Sequence, residues 1–118
     1  EYLAMAANVD YEVGLVMNAL RQEDLEKSTL VFLTADHGGH GKNHMTGLAA
    51  DMTIPWVIAG PGVIPTQHLN SQVRVYDTAA TAAWALGLAL PGDMKGSPVS
   101  EAFDSASLQE CELLMIER

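Results

Sequence analysis

The chain is poor in cysteine and in basic residues. Its 118 residues include a single cysteine, Cys111, so no disulfide can form within it. Six Lys and Arg stand against 15 Asp and Glu, a formal charge of −9 with histidine neutral. That balance excludes simple electrostatic attraction to a nucleic-acid backbone or an anionic membrane surface. No apolar run reaches the ~18 residues of a membrane span, and no charged start leads into an apolar stretch with a small-residue cleavage site. At 48% hydrophobic and 18% charged residues, the composition is that of a globular chain and not of a disordered one. An acidic chain still handles an anionic substrate when metal ions supply positive charge locally.

The length allows one domain. The chain has no initiator Met and reads as helix from its second residue, so it is expected to be the C-terminal piece of a longer protein. Over residues 2–22, Leu3, Ala6, Val9, Val13, Val16, Met17 and Leu20 recur at spacings of three and four, which predicts a helix with one apolar face. Thr29 to Ala35 (TLVFLTA) is a short apolar run rich in β-formers, predicted as a strand buried on both faces, as in a parallel sheet. Ile54 to Ala59 (IPWVIA) predicts a second strand with Pro55 at its start, closed by Gly60-Pro61-Gly62. Val73 to Val75 is a candidate third strand. Asp77 or Thr78 is the expected N-cap of an Ala-rich helix over residues 79–88, with Gly87 marking its end. Residues 99–103 predict a brief turn or strand, and Leu108 to Ile116 a weakly amphipathic tail carrying Cys111 as a packing residue. Trp56 and Trp84 lie in apolar patterns and read as core. The order of elements predicts an α/β layered fold. Three strands and two helices are too few to cover a sheet on both faces, which again points to a fragment.

The chemistry is concentrated in Asp36-His37-Gly38-Gly39-His40-Gly41-Lys42-Asn43-His44, directly after the first strand. Ligands of open α/β sheets gather beyond the carboxyl ends of strands, so place and composition agree. A carboxylate oxygen and an imidazole nitrogen are both good ligands for divalent metals. Neighbours on a strand point to opposite sides, and Gly38 and Gly39 supply the break that lets Asp36 and His37 reach one ion. His44, seven residues past His37, is placed to return across the loop. Lys42 is a point cation suited to a phosphate or sulfate oxygen, or else a solvated loop residue. His40 is read either as a support for a ligand or as an exposed residue, and Asp51 as a residue that orients the loop.

At this loop the sequence resembles the alkaline phosphatase superfamily, most of all its branch of type I phosphodiesterases and nucleotide pyrophosphatases, with sulfatases as close relatives. The resemblance is carried by several motifs in order: Val9-Asp10 with Gly14, TLVFLTADHGG over 29–39, Gly41-Lys42-Asn43-His44, Ile54-Pro55-Trp56 with Gly60-Pro61-Gly62, Tyr76-Asp77-Thr78-Ala79-Ala80-Thr81, and Gly96-Ser97-Pro98-Val99. It implies that residues 1–103 are the C-terminal part of an alkaline-phosphatase-like sandwich, with a mostly parallel central sheet flanked by helices, and that 104–118 form a tail, helical in part.

The resemblance further implies metal-dependent hydrolysis of phosphate esters. Asp36, His37 and His44 would be metal ligands, Lys42 a substrate contact, and two divalent ions, Zn²⁺ first with Mn²⁺ or Ca²⁺ as alternatives, about 4 Å apart, would clamp the ester. His68 is left as a surface-loop residue. The substrate would be a small phosphate or sulfate ester, and the compartment periplasmic or extracellular. The family's nucleophile has no counterpart in this chain, which is expected to be inactive alone. Sulfate-ester hydrolysis is the nearest alternative, and a truncated chain without activity of its own the next.

Overall fold

A computed structural model describes residues 2–44, 46–65, 68–104 and 106. In chain order it forms helix α1 (Tyr2–Gln22), strand β1 (Val31–Thr34), a one-turn helix α2 (Ala49–Met52), strand β2 (Trp56–Ala59) and helix α3 (Asp77–Ala85), with 3₁₀ turns at Glu26–Ser28 and Ser100–Ala102. The expected tail helix lies outside the described residues.

The 3.6-residue periodicity of residues 2–22 correctly marks α1. Its apolar face is largely uncovered among the described residues. Val13, Met17 and Leu20 are half-buried, while Leu3, Val9 and Val16 are 82%, 52% and 55% exposed. The half-buried positions of the helix all lie in its second half.

The two apolar runs form strands, shorter than predicted, and they pair antiparallel, with Val31 opposite Ala59 and Thr34 opposite Trp56. The expected mostly parallel sheet is not seen: the described residues contain one two-stranded antiparallel sheet. Nor is β1 buried on both faces, since Val31, Phe32 and Thr34 are half-buried and Leu33 is exposed. An uninterrupted apolar run reports that a strand is shielded somewhere in the whole molecule, not which elements shield it. Pro55, lacking an N–H, stands just before β2 as expected, and its carbonyl accepts a hydrogen bond from the Thr34 hydroxyl at 2.9 Å. Residues 73–75 form no strand.

The core is small and lies under α3. Trp84, Val99, Ala102 and Phe103 form its centre, with Leu30, Trp56, Ile58 and Val63 packed against it. Trp84 and Phe103 meet edge to face, ring centres 5.1 Å apart. Trp56 is half-buried, and its indole N–H donates to the Thr78 hydroxyl at 2.9 Å. Buried Thr81 joins α3 to the last segment: its hydroxyl donates to the Asp77 carbonyl (2.7 Å) and accepts from the Val99 N–H (3.0 Å). Asp77 is not an N-cap but the first helical residue. Its carboxylate accepts from the N–H groups of Arg74 (2.8 Å) and Ser97 (2.9 Å), tying two loops to the helix start. A side chain at the expected cap position thus satisfies donors outside the helix.

Trp84 is 8% exposed and carries the largest ring of the core. Trp84→Ala should lower stability by about 3 kcal/mol, read as a shift in the urea midpoint. A change below about 0.5 kcal/mol would show that this cluster is not the core.

Candidate active site

Antiparallel pairing sets the geometry of the site. β1 ends at Thr34 and β2 begins at Trp56 opposite it, so the segment entering β2 returns beside the loop leaving β1. The loop docks on α2 through its backbone: the Gly38 N–H donates to the Asp51 carbonyl and the Gly39 N–H to the Ala50 carbonyl, each at 2.8 Å. A Cβ at Gly38 would lie 2.1 Å from the Ala50 carbonyl oxygen and 2.7 Å from that of Thr53, so this approach is open to glycine alone.

Asp36 and His37 stand at the start of this docked loop. The Asp36 Oδ1 accepts from the His37 backbone N–H at 2.9 Å. The His37 Nδ1 lies 2.7 Å from the Gly38 carbonyl oxygen, which only accepts, so Nδ1 carries the hydrogen and donates. Nε2 is left with its lone pair, 3.5 Å from the Asp36 Oδ2. An imidazole that gives one N–H to a backbone carbonyl and offers the other nitrogen is the usual state of a metal-ligating histidine. The spacing fits as well: two donor atoms each about 2.4 Å from one cation, at a right angle, are about 3.4 Å apart. The Asp36 side chain is 87% exposed, so the pair faces outward from the chain.

His44 comes to the same place, its ring stacked on that of His37 with centres 4.5 Å apart and planes 12° from parallel. The structure thus sets His37 between two of the named residues, Asp36 beside it and His44 stacked on its ring. It does not assemble them into a complete ligand set: among the described residues no three Asp, Glu, His or Cys groups are arranged to hold a metal ion. Asp36 and His37 fit two ligands of a divalent ion.

Lys42 sits at the tip of a tight reversal. His40 and Asn43 exchange both backbone hydrogen bonds at 2.9 Å, leaving Gly41 and Lys42 as the two turn residues. Gly41 has φ +56°, the sign that the first position of a type II′ turn requires. The Lys42 side chain is exposed.

His40 is held by Asp51, as the loop-orienting reading of that carboxylate anticipated. The His40 Nδ1 donates to Asp51 Oδ1 at 2.6 Å, and Asp51 Oδ2 accepts from the Thr46 N–H (2.8 Å) and hydroxyl (2.5 Å). Thr46 had no sequence signal, because a five-residue offset from Asp51 matches neither helix nor strand period. The Thr46 hydroxyl first, and the His40 imidazole second, hold the Asp51 carboxyl below the usual carboxylate range, with burial opposing them and the nearby His44 adding to them.

Residues 1–88 match the sulfatase family. The chain belongs to that family, a group of ester hydrolases within the alkaline phosphatase superfamily. It is similar to arylsulfatase K of Canis lupus familiaris, 34% identical over 100 residues that cover 80% of this chain and 19% of that protein. To arylsulfatase K of Mus musculus it is 31% identical over 114 residues, 92% of this chain and 21% of the other. To that of Homo sapiens it is 30% identical over 100 residues, 80% and 19%. The sulfatase chain thus spans about a fifth of the length of these relatives. No solved structure matches it.

These matches overturn the expected phosphodiesterase and nucleotide pyrophosphatase activity in favour of the sulfatase alternative. Zinc finds no support in the match either, sulfatases generally binding a divalent cation that is usually Ca²⁺ or Mg²⁺. Among the described residues no helix is long and apolar enough to cross a membrane.

A depressed carboxylate stabilises the folded chain above its unfolded-state value, about 3.9 for Asp, and loses that contribution as pH falls through the lower folded-state value. As pH falls from about 5 to below that unfolded-state value, the thermal midpoint of the wild type should therefore fall more steeply than that of Asp51→Asn. Parallel pH profiles would show that the Asp51 cluster makes no such contribution.

Proposed function

We propose that this chain supplies part of the active site of a hydrolase of sulfate esters, with its nucleophile contributed by sequence other than these 118 residues. The observation that carries the reading is the pairing of the His37 Nε2 with the Asp36 Oδ2, 3.5 Å apart on a loop anchored by backbone, in a chain of the sulfatase family. Asp36 and His37 would hold a divalent cation, and His44 adjoins them.

When bound, such a cation acts as a Lewis acid toward a substrate oxygen. The chain's own residues do the rest. The Gly38 carbonyl keeps His37 in the tautomer that offers Nε2, and the docked backbone of Gly38 and Gly39 holds the pair at the end of β1. Lys42, at the exposed tip of its turn, reaches a negatively charged sulfate oxygen as a mobile point charge. This also reconciles the charge of −9 with an anionic substrate, since cation and lysine reverse the sign locally. Hydrolysis converts the sulfate ester and water into the alcohol or phenol and sulfate.

Two measurements test this in the enzyme that contains the chain. It should hydrolyse p-nitrophenyl sulfate in preference to p-nitrophenyl phosphate. Asp36→Ala and His37→Ala should each reduce that turnover by about a hundredfold or more, with loss of bound divalent metal by elemental analysis. Full activity with normal metal content in both variants would overturn the assignment.

A further inference from the structure

We propose that Asp51 is the positioning residue of the site, clasping His40 and Thr46 so that Lys42 and His44 are presented beside Asp36 and His37; its catalytic consequence rests on the sulfatase reading above. Asp51 lies in α2, outside the Asp-His-Gly loop, and is 2% exposed. Both carboxylate oxygens are spent on one segment: Oδ1 takes His40 at its start, and Oδ2 takes Thr46 twice at its end. Between these anchors stand Lys42, at the tip of the turn, and His44, stacked on His37. The same residue's carbonyl accepts from the Gly38 N–H, so one residue holds both limbs of the loop.

The chemistry of the clasp is directional. An ionised carboxylate only accepts, so His40 must donate through Nδ1, and its Nε2 is the ring nitrogen left for any other contact. A buried carboxylate is tolerated only when its oxygens are satisfied, so the loop closes on Asp51 or leaves a charge unpaired. Placement of this kind matters greatly in an active site, where a displacement of about 1 Å costs on the order of 10²-fold.

The test has two arms. In ¹⁵N-labelled chain, His40 should show a protonated Nδ1 at neutral pH, and Asp51→Asn should move the amide signals of Lys42, Asn43 and His44 while those of Trp56–Ala59 and Asp77–Ala85 stay in place. Thr46→Val should move the same signals, and Thr46→Ser should restore them. A His40 without a hydrogen on Nδ1, or unchanged Lys42 and His44 signals in Asp51→Asn, would overturn the proposal whatever the enzyme's substrate. In the enzyme that contains the chain, Asp51→Asn should lower kcat/KM for p-nitrophenyl sulfate roughly tenfold, and add little further loss in a Lys42→Ala background. Fully additive losses would overturn the role through Lys42. Absence of any sulfate-ester turnover in the wild type would overturn the sulfatase reading and leave the first arm to decide the clasp.

Discussion

A buried carboxylate cannot be left alone, and much of the site follows from satisfying one. Asp51 has almost no contact with solvent, and its carboxylate and carbonyl accept four hydrogen bonds, one from His40, two from Thr46 and one from Gly38. Each closes the glycine-rich segment onto α2. Without this anchor a stretch holding Gly38, Gly39, Gly41 and Gly47 would have large conformational entropy and little reason to hold one shape. The charge supplies the directionality that glycines lack, and the glycines supply the close approach that the charge demands.

The antiparallel pair does the coarse positioning. By returning β2 alongside β1, it brings residues 49–55 next to the loop they must anchor. The core beneath α3 packs against β2 through Trp56 and Ile58, and its centre holds Trp84, Phe103 and the buried Thr81 that joins α3 to residues 99–103. The site is thus built on the rim of a small scaffold and not inside its core. This agrees with the exposure of Asp36 and with the uncovered face of α1, in a chain that spans about a fifth of its relatives' length.

Elements with a strong period were legible in the sequence. Residues 2–22 repeat at helical spacing, and the two apolar runs ending before glycine-rich stretches are strands. Strand direction was not legible, because side-chain alternation is the same in parallel and antiparallel pairs. The role of Asp77 was misjudged for a related reason: a carboxylate at a helix start satisfies whichever donors the fold brings, and here these are the N–H groups of Arg74 and Ser97. At the site, residue type and spacing single out Asp36, His37 and His44, and the structure sets Asp36 beside His37 and His44 on its ring. The activity was not legible there: the matches to the sulfatase family and to arylsulfatase K speak against the phosphodiesterase expectation.

Sequence alone determined the acidic balance, the absence of an internal disulfide, the first helix, the two strand segments and the loop that carries the ligand-type side chains. All of these are local properties of composition and period. Only the tertiary structure decided that the strands run antiparallel, that His37 donates through Nδ1 and offers Nε2 beside Asp36, and that Asp51 holds His40 and Thr46. The partners in those contacts include residues separated by 11 positions or more, as His40 is from Asp51. Which of several acceptors a donor meets at such separations is set by how the backbone folds back, and no local pattern encodes it.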